Sequence, residues 1–338
     1  TRPLIHRLLP LLQHDDVQIN HSPGNDIPIL HYTSVYVRYC RFFSEADATT
    51  ADHNDDVCTP DDKLSLLSAL ARLGKSLSFD NSGEILSALL STPEIDRFEV
   101  PRFHICQESP LSNLELARLG VMMEKSVKTV DFTPEFHYVD VPEAFYDSLA
   151  NCIHLQALHF GDKPEKIFPV SKVIAGEDGN GAVERLLRNP HNQLTTLDLD
   201  STDLEDHHLI ALAPSLPASK VKVLILFFNN IHPHGFQELT KHLANMRSLN
   251  RLWIGNNPWT KAAPKVRYEC GLALSKALAQ NPSITEVSDL KVFPQEACRL
   301  LCYILSLNVG GRKFFRLSST SSSFVLLSSS ADGTLPEQ

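Results

Sequence analysis

The sequence lacks a long apolar run, a surplus of basic residues and paired cysteines, and each absence excludes a class of protein. No stretch approaches the roughly 18 consecutive apolar residues that a membrane-spanning helix needs. The formal net charge of the 338 residues is -9 at pH 7, so the whole chain offers no basic footprint for nucleic acid. The seven cysteines are scattered, without a CxxC pair, which favours free thiols. We therefore predict a cytoplasmic protein with no membrane partner and no nucleic-acid partner.

Motifs of catalysis and of metal binding are also scarce. The chain contains neither GxSxG nor HExxH. A permissive phosphate-loop match at 69–76 has alanine for its leading glycine and falls at the end of a predicted helix, not after a strand. The segment 176–187 resembles a calcium loop, but glycine and leucine stand where the first and twelfth ligands belong. Adjacent histidines at 207–208 lack the further ligands that a metal site needs. We predict no enzyme, no cofactor, no metal and no small-molecule substrate.

Three segments in the second half of the chain align without gaps. They begin at Leu194, Val221 and Leu249, so the period of the repeat is nearly constant. Each fits the pattern LxxLxLxxNxL, with Thr202 replacing the asparagine once. The LxL part predicts a short strand whose leucines point inward. The asparagine is expected to bond backbone groups where the chain turns away from that strand.

Helices are predicted between these strands, over 237–243 and 271–280, because leucines recur there at helical spacing. A repeat of this length, with one strand and one full helix, resembles the ribonuclease-inhibitor-like class of leucine-rich-repeat proteins. The resemblance implies an α/β solenoid, with a curved parallel sheet on the concave side and helices on the convex side. It also implies a scaffold or adaptor that binds another protein through the concave face.

Weaker copies of the pattern flank the three central ones. Candidates precede them at 155–160, 127–132 and 95–100, and another begins at Ile284, where Asp289 replaces the third leucine. The prediction is thus about six to seven repeats, some of them degenerate, as the ends of a repeat array usually are. The domain covers 95–308. Apolar residues at helical spacing predict a C-terminal capping helix over 294–307.

The two ends of the chain are predicted from composition and periodicity. Residues 1–94 form either a capping subdomain or a degenerate repeat. Within them we expect strand character at 27–43, an acidic loop at 44–62, and helices at 64–73 and 84–90. The serine-rich residues 317–338 are predicted to be a disordered tail.

One outward position recurs in every predicted strand, between the second and third core residues. The residues that hold it are Glu99, Asp131, His159, Asp198, Ile225 and Trp253. The early strands therefore present acids, and the later strands present large apolar side chains. Since an exposed apolar cluster with a charged rim marks a partner site, we predict a protein-binding site here. Its centre is Ile225, Phe227 and Trp253, and its rim is Asp198, Asp200 and Arg251.

Alternatives stay open for both the patch and the function. Phe227 and Phe228 could turn inward to fill the solenoid, or the serine-rich tail or a loop could cover the patch. The chain could instead be a regulatory module that acts on a GTPase or another enzyme, or an enzyme with an unrecognised site.

Overall fold

A single sheet organises the part of the chain that the computed structural model describes, which is residues 17–21, 33–37, 77–80, 90, 102–106, 112–132, 142–160, 173–175 and 181–310. Its ten strands lie in sequence order. The first pair is antiparallel, and every later pair is parallel. Sequence order with parallel pairing means that one crossover unit follows another along the sheet. The predicted α/β architecture with a parallel sheet is confirmed, and it is solenoid-like.

The strands are short and the helices alternate with most of them. The strands are β1 Val17–His21, β2 Thr33–Val37, β3 Leu77–Asp80, β4 Arg102–Cys106, β5 Thr129–Phe132, β6 Ala157–Phe160, β7 Thr196–Asp198, β8 Val223–Ile225, β9 Arg251–Trp253 and β10 Glu286–Val287. The helices are α1 Asn113–Ser126, α2 Glu143–Ala150, α3 Ala182–Arg188, α4 Asp206–Leu212, α5 Pro233–Leu243, α6 Pro264–Gln280 and α7 Gln295–Gly310. No helix among the described residues is long and apolar enough to cross a membrane.

The predicted helices of the repeat region are present, with longer N-terminal parts. The helix expected at 237–243 begins at Pro233, and the one expected at 271–280 begins at Pro264. Proline is favourable in the first turn because its missing amide would have no helical partner there. The capping helix expected at 294–307 corresponds to α7. Four predicted features lie outside the described residues: the acidic loop 44–62, the helix 64–73, the phosphate-loop match 69–76 and the tail 317–338.

The candidate repeat at 95–100 was predicted in the wrong register. β4 pairs with β5 so that His104 lies opposite Asp131. His104 therefore holds the row position that the sequence pattern assigned to Glu99, which itself lies outside the described residues. The separation from His104 to Asp131 equals the one between Leu194 and Val221, whereas the separation from Glu99 is longer. Apolar residues just before the strand imitated the repeat pattern.

From β6 to β10, one backbone carbonyl of the preceding repeat anchors the start of each strand. Each of these carbonyls accepts hydrogen bonds from two consecutive amides of the following repeat. They belong to Lys128, Gln156, Thr195, Lys222 and Asn250. The widest separation in this series lies between Gln156 and Thr195, so the extra residues between β6 and β7 leave the contact intact.

Buried asparagines join the turns that follow β7, β8 and β9. The Asn229 amide group donates to the Leu199 carbonyl at 2.7 Å, and its Oδ1 accepts from the Leu204 amide at 2.9 Å. Asn257 makes a similar bridge one repeat later, donating to the Leu226 carbonyl at 2.8 Å. Each asparagine thus ties its own turn to the turn before it. The expectation that asparagine satisfies backbone groups at this turn is confirmed.

Candidate interaction face

Strand register brings the predicted site residues into rows. Asp198 lies opposite Ile225, which lies opposite Trp253. Pairing continues beyond the ends of the strands, since the Ser201 amide donates to the Phe227 carbonyl at 3.0 Å. These side chains alternate with the buried leucines that face the helices. All six predicted residues are half-buried and lie on the face that points away from the helices, which we call the open face.

An aromatic cluster, made of Phe227, Phe228 and Trp253, lies on the open face. The Phe227 and Trp253 ring centroids are 5.9 Å apart, with an angle of 37° between the rings. The Phe228 ring lies 6.3 Å from that of Phe227 and is 58% exposed. Neither phenylalanine belongs to the hydrophobic core. The alternative in which these two rings fill the interior is therefore wrong.

Gly255 gives the cluster the space it occupies. A Cβ atom at this position would overlap the Asp289 carboxylate and would lie 2.8 Å from Phe227 Cε1. The ring and the carboxylate therefore converge over the glycine. Any larger residue would have to displace one or both of them.

A carboxylate on β10 orients two residues of the predicted site. Glu286 Oε1 accepts from the Trp253 indole nitrogen at 3.2 Å, and its Oε2 lies 3.1 Å from Arg251 Nε. The Arg251 and Glu286 side chains are 36% and 48% exposed, so the ion pair contributes little to the free energy of unfolding. The contribution of Glu286 is geometric, because its hydrogen bond with Trp253 restrains the indole ring. Arg251 is thus a rim residue whose charge is already matched.

Histidine and aspartate alternate on the other side of the site. His159 Nδ1 lies 3.3 Å from Asp198 Oδ2, and Asp198 Oδ1 accepts from the Asp200 amide at 3.0 Å. The same row continues through Asp131 to His104 on the neighbouring strands. Asp198, predicted as a rim acid, is therefore held in place by a histidine of the preceding repeat.

The sequence pattern missed Glu286 and Asp289 as members of the site. Glu286 pairs with Arg251 across a longer stretch of chain than the one that separates the central strands, so repeat spacing could not align it. Asp289 was noted only as a failed leucine position. The only signal in the sequence was that Asp289 lies in a connecting segment, where binding residues are disproportionately found.

The other candidate side chains have structural roles in the described part of the chain. His208 Nδ1 accepts from the Glu205 amide at 3.2 Å, at the start of α4. Burial raises the pKa of the Cys152 thiol well above its usual value and that of Cys270 to about 11, so both thiols are protonated at neutral pH. Among the described residues, no group of three or more His, Cys, Asp and Glu side chains could hold a metal ion.

Comparison with known proteins gives likenesses to solved structures only. No protein-family model and no curated protein matches the chain. Among solved structures, the chain is similar to leiomodin-1 actin-binding site 2, with 19% sequence identity and a TM-score of 0.37. The match covers 46% of this chain and 82% of that one. Since a likeness this distant carries no functional argument, the class of the protein follows from its own structure: a repeat-like α/β fold with a parallel sheet.

Proposed function

We propose that this protein is a leucine-rich-repeat solenoid of the ribonuclease-inhibitor-like type that binds another protein through the open, concave face of its sheet. The observation that carries the proposal is the pair of half-exposed aromatic rings, Phe227 and Trp253, beside Ile225 on adjacent strands. Scattered apolar side chains on a surface are ordinary, but a contiguous aromatic group is characteristic of an interface centre.

Two repeating contacts support the choice of repeat class. The carbonyl that anchors each strand recurs from one repeat to the next, and Asn229 and Asn257 bridge successive turns at the same place in their repeats. A repeat that buries its asparagine in the turn after a short strand fits the leucine-rich pattern. A cytoplasmic location agrees with the free state of the described cysteines, Cys152, Cys270, Cys298 and Cys302.

The rings are positioned before any partner arrives, which favours binding. Glu286 restrains the Trp253 indole, and Phe227 rests against Gly255. Restrained aromatic side chains lose little conformational entropy in a complex, so most of the apolar area they bury contributes to affinity.

Comparative affinity purification from the native cell tests the proposal. The full tagged chain is compared with a Phe227→Ala and Trp253→Ala double variant, and retained proteins are quantified by mass spectrometry. Hot-spot truncations cost about 2 kcal/mol or more each, so we expect the double variant to lose specific partners by more than about tenfold. Circular dichroism verifies that it is folded.

Matched controls come from exposed apolar residues outside the open face. Leu114 and Tyr303 are 63% and 57% exposed and lie on α1 and α7. Their alanine variants should retain every partner of the wild-type chain. If the folded double variant keeps the same partners at the same level, the proposed binding face is wrong.

A further inference from the structure

We propose that the partner inserts a lysine or arginine side chain into the aromatic cluster, so that its cation lies across the Trp253 and Phe227 rings beside the Asp289 carboxylate. This inference rests on the proposed function, because it specifies the chemistry of the protein that the open face binds. Three features of the face lead to it: the charges around the rings, the arrangement of the rings and the position of Asp289.

Acidic residues flank the cluster on both sides. Asp200 follows β7 and lies next to Phe227 in the continued register, while Asp289 reaches the cluster from the turn after β10. The charge of Arg251 is matched by Glu286. Asp289 therefore adds negative charge at the edge of the cluster, which attracts a basic segment and repels an acidic one.

The rings themselves provide a surface that a cation prefers to a neutral group. The face of an aromatic ring carries partial negative charge, and tryptophan attracts cations most strongly. Because the Phe227 and Trp253 centroids are 5.9 Å apart, one ammonium or guanidinium group can lie within about 6 Å of both rings, the range in which the attraction operates.

Asp289 distinguishes a basic partner from a purely apolar one. Its carboxylate converges with the Phe227 ring over Gly255, and Asp289 as a residue is exposed in the chain alone. An apolar segment that covered the cluster would remove this water and leave a charge without compensation, which is costly. A lysine or arginine covers the rings with its aliphatic stem and supplies the opposite charge at its tip.

Selection from a random-peptide display library against the immobilised full chain tests the inference. We expect the selected peptides to carry lysine or arginine beside an apolar residue, and to bind less tightly as salt is raised. Synthetic copies are then titrated against the wild-type chain, Asp289→Asn and Trp253→Ala. Asparagine tolerates the left-handed backbone of Asp289, whose φ is 55°. We expect each variant to weaken binding by about tenfold.

Controls separate failure of this inference from failure of the proposed function. Glu296→Gln removes an exposed carboxylate from α7 and should leave affinity unchanged. If the peptides lack basic residues, or if they bind Asp289→Asn as tightly as wild type, the basic partner is wrong. The proposed face still stands when those same peptides lose affinity for Trp253→Ala. If no peptide is selected, or if Trp253→Ala binds all of them unchanged, both the proposed binding face and the basic partner are wrong.

Discussion

Two halves of the same sheet fill equivalent inner positions with different chemistry. At the ends of β5 and β6 the position is held by Phe132 and Phe160, whose rings stack 5.4 Å apart at 15°. After β8 and β9 it is held by Leu226 and Ile254, whose carbonyls accept hydrogen bonds from Asn257. The buried area of two stacked rings changes little when the rings shift slightly, whereas the strength of a hydrogen bond depends steeply on distance and angle. Among the described residues, directional side-chain bonds to Asn257 fix the backbone after β8 and β9.

The outer surfaces of the two halves also differ: the half with the stacked inner rings is polar outside, and the other half carries the exposed aromatic rings. The stacked half presents Asp131 and His159, and the asparagine half presents Ile225, Phe227 and Trp253. The aromatic rings thus lie on the part of the sheet that directional bonds fix. The proposed binding role requires such support, because small displacements of a rigid anchor lose much of its complementarity.

The largest effect is expected when the directional bonds are removed. Asn257→Ala leaves the buried Leu226 and Ile254 carbonyls and the Ile231 amide without this partner. Since an unsatisfied buried polar group costs about 1–3 kcal/mol, we expect the free energy of unfolding to fall by about 3 kcal/mol. Urea unfolding measures it. The exposed Asn230, changed to alanine, should cost less than about 0.5 kcal/mol. A loss below about 1 kcal/mol for Asn257→Ala would contradict the proposed contrast between the halves.

A smaller effect is expected in the stacked half, where Phe132→Leu keeps an apolar side chain. The lost ring contact should lower the free energy of unfolding by about 1.5 kcal/mol. Mass spectrometry after alkylation shows which half of the sheet is loosened. Cys152 is a buried thiol in the half with the stacked rings, and Cys270 is a buried thiol in the half with the asparagine bonds. Because burial shields both thiols from the reagent, alkylation reports opening of the structure.

The two cysteines are expected to respond to different variants. Phe132→Leu should speed alkylation of Cys152 more than that of Cys270, and Asn257→Ala should do the reverse. Equal acceleration of both thiols in both variants would show that the halves open together, and the regional comparison would then fail.

The sequence predicted the elements that depend on local pattern. Repeat spacing located β7, β8 and β9, assigned the turn bonds to asparagine and placed Ile225, Phe227 and Trp253 on one face. These properties follow from the alternation of side chains along a strand and from a polar group that must be satisfied at a turn.

What the sequence did not predict depends on contacts between repeats. Strand pairing shows that His104, not Glu99, lies opposite Asp131. The long helix α6 places β10 further along the chain than the repeat spacing predicts, so the contacts of Glu286 with Arg251 and Trp253 could not be predicted from that spacing. Gly255 became informative only when the structure showed which side chains occupy its space. Such features are set by the register of distant segments, which one sequence does not specify.

The variant with the smallest expected effect on stability concerns one turn position that three successive repeats share. Ser201, Phe228 and Asn256 occupy the same place in successive repeats, and their φ angles are 53°, 50° and 54°. Asparagine adopts this left-handed conformation at low cost, whereas a bulky aromatic residue does not. We therefore expect Phe228→Asn to raise the free energy of unfolding by about 0.5–1 kcal/mol, measured by urea unfolding.

The reciprocal variant is the control for that strain. Asn256→Phe places the aromatic residue in the equivalent turn and should cost a similar amount, about 0.5–1 kcal/mol. A fall in stability for Phe228→Asn would show that the exposed ring contributes more by contact than its backbone costs. If stability rises while the selected basic peptides bind more weakly, Phe228 extends the binding surface at the expense of stability. The proposed binding site then includes all three rings of the cluster, because a strained and exposed phenylalanine would be contributing to affinity and not to folding.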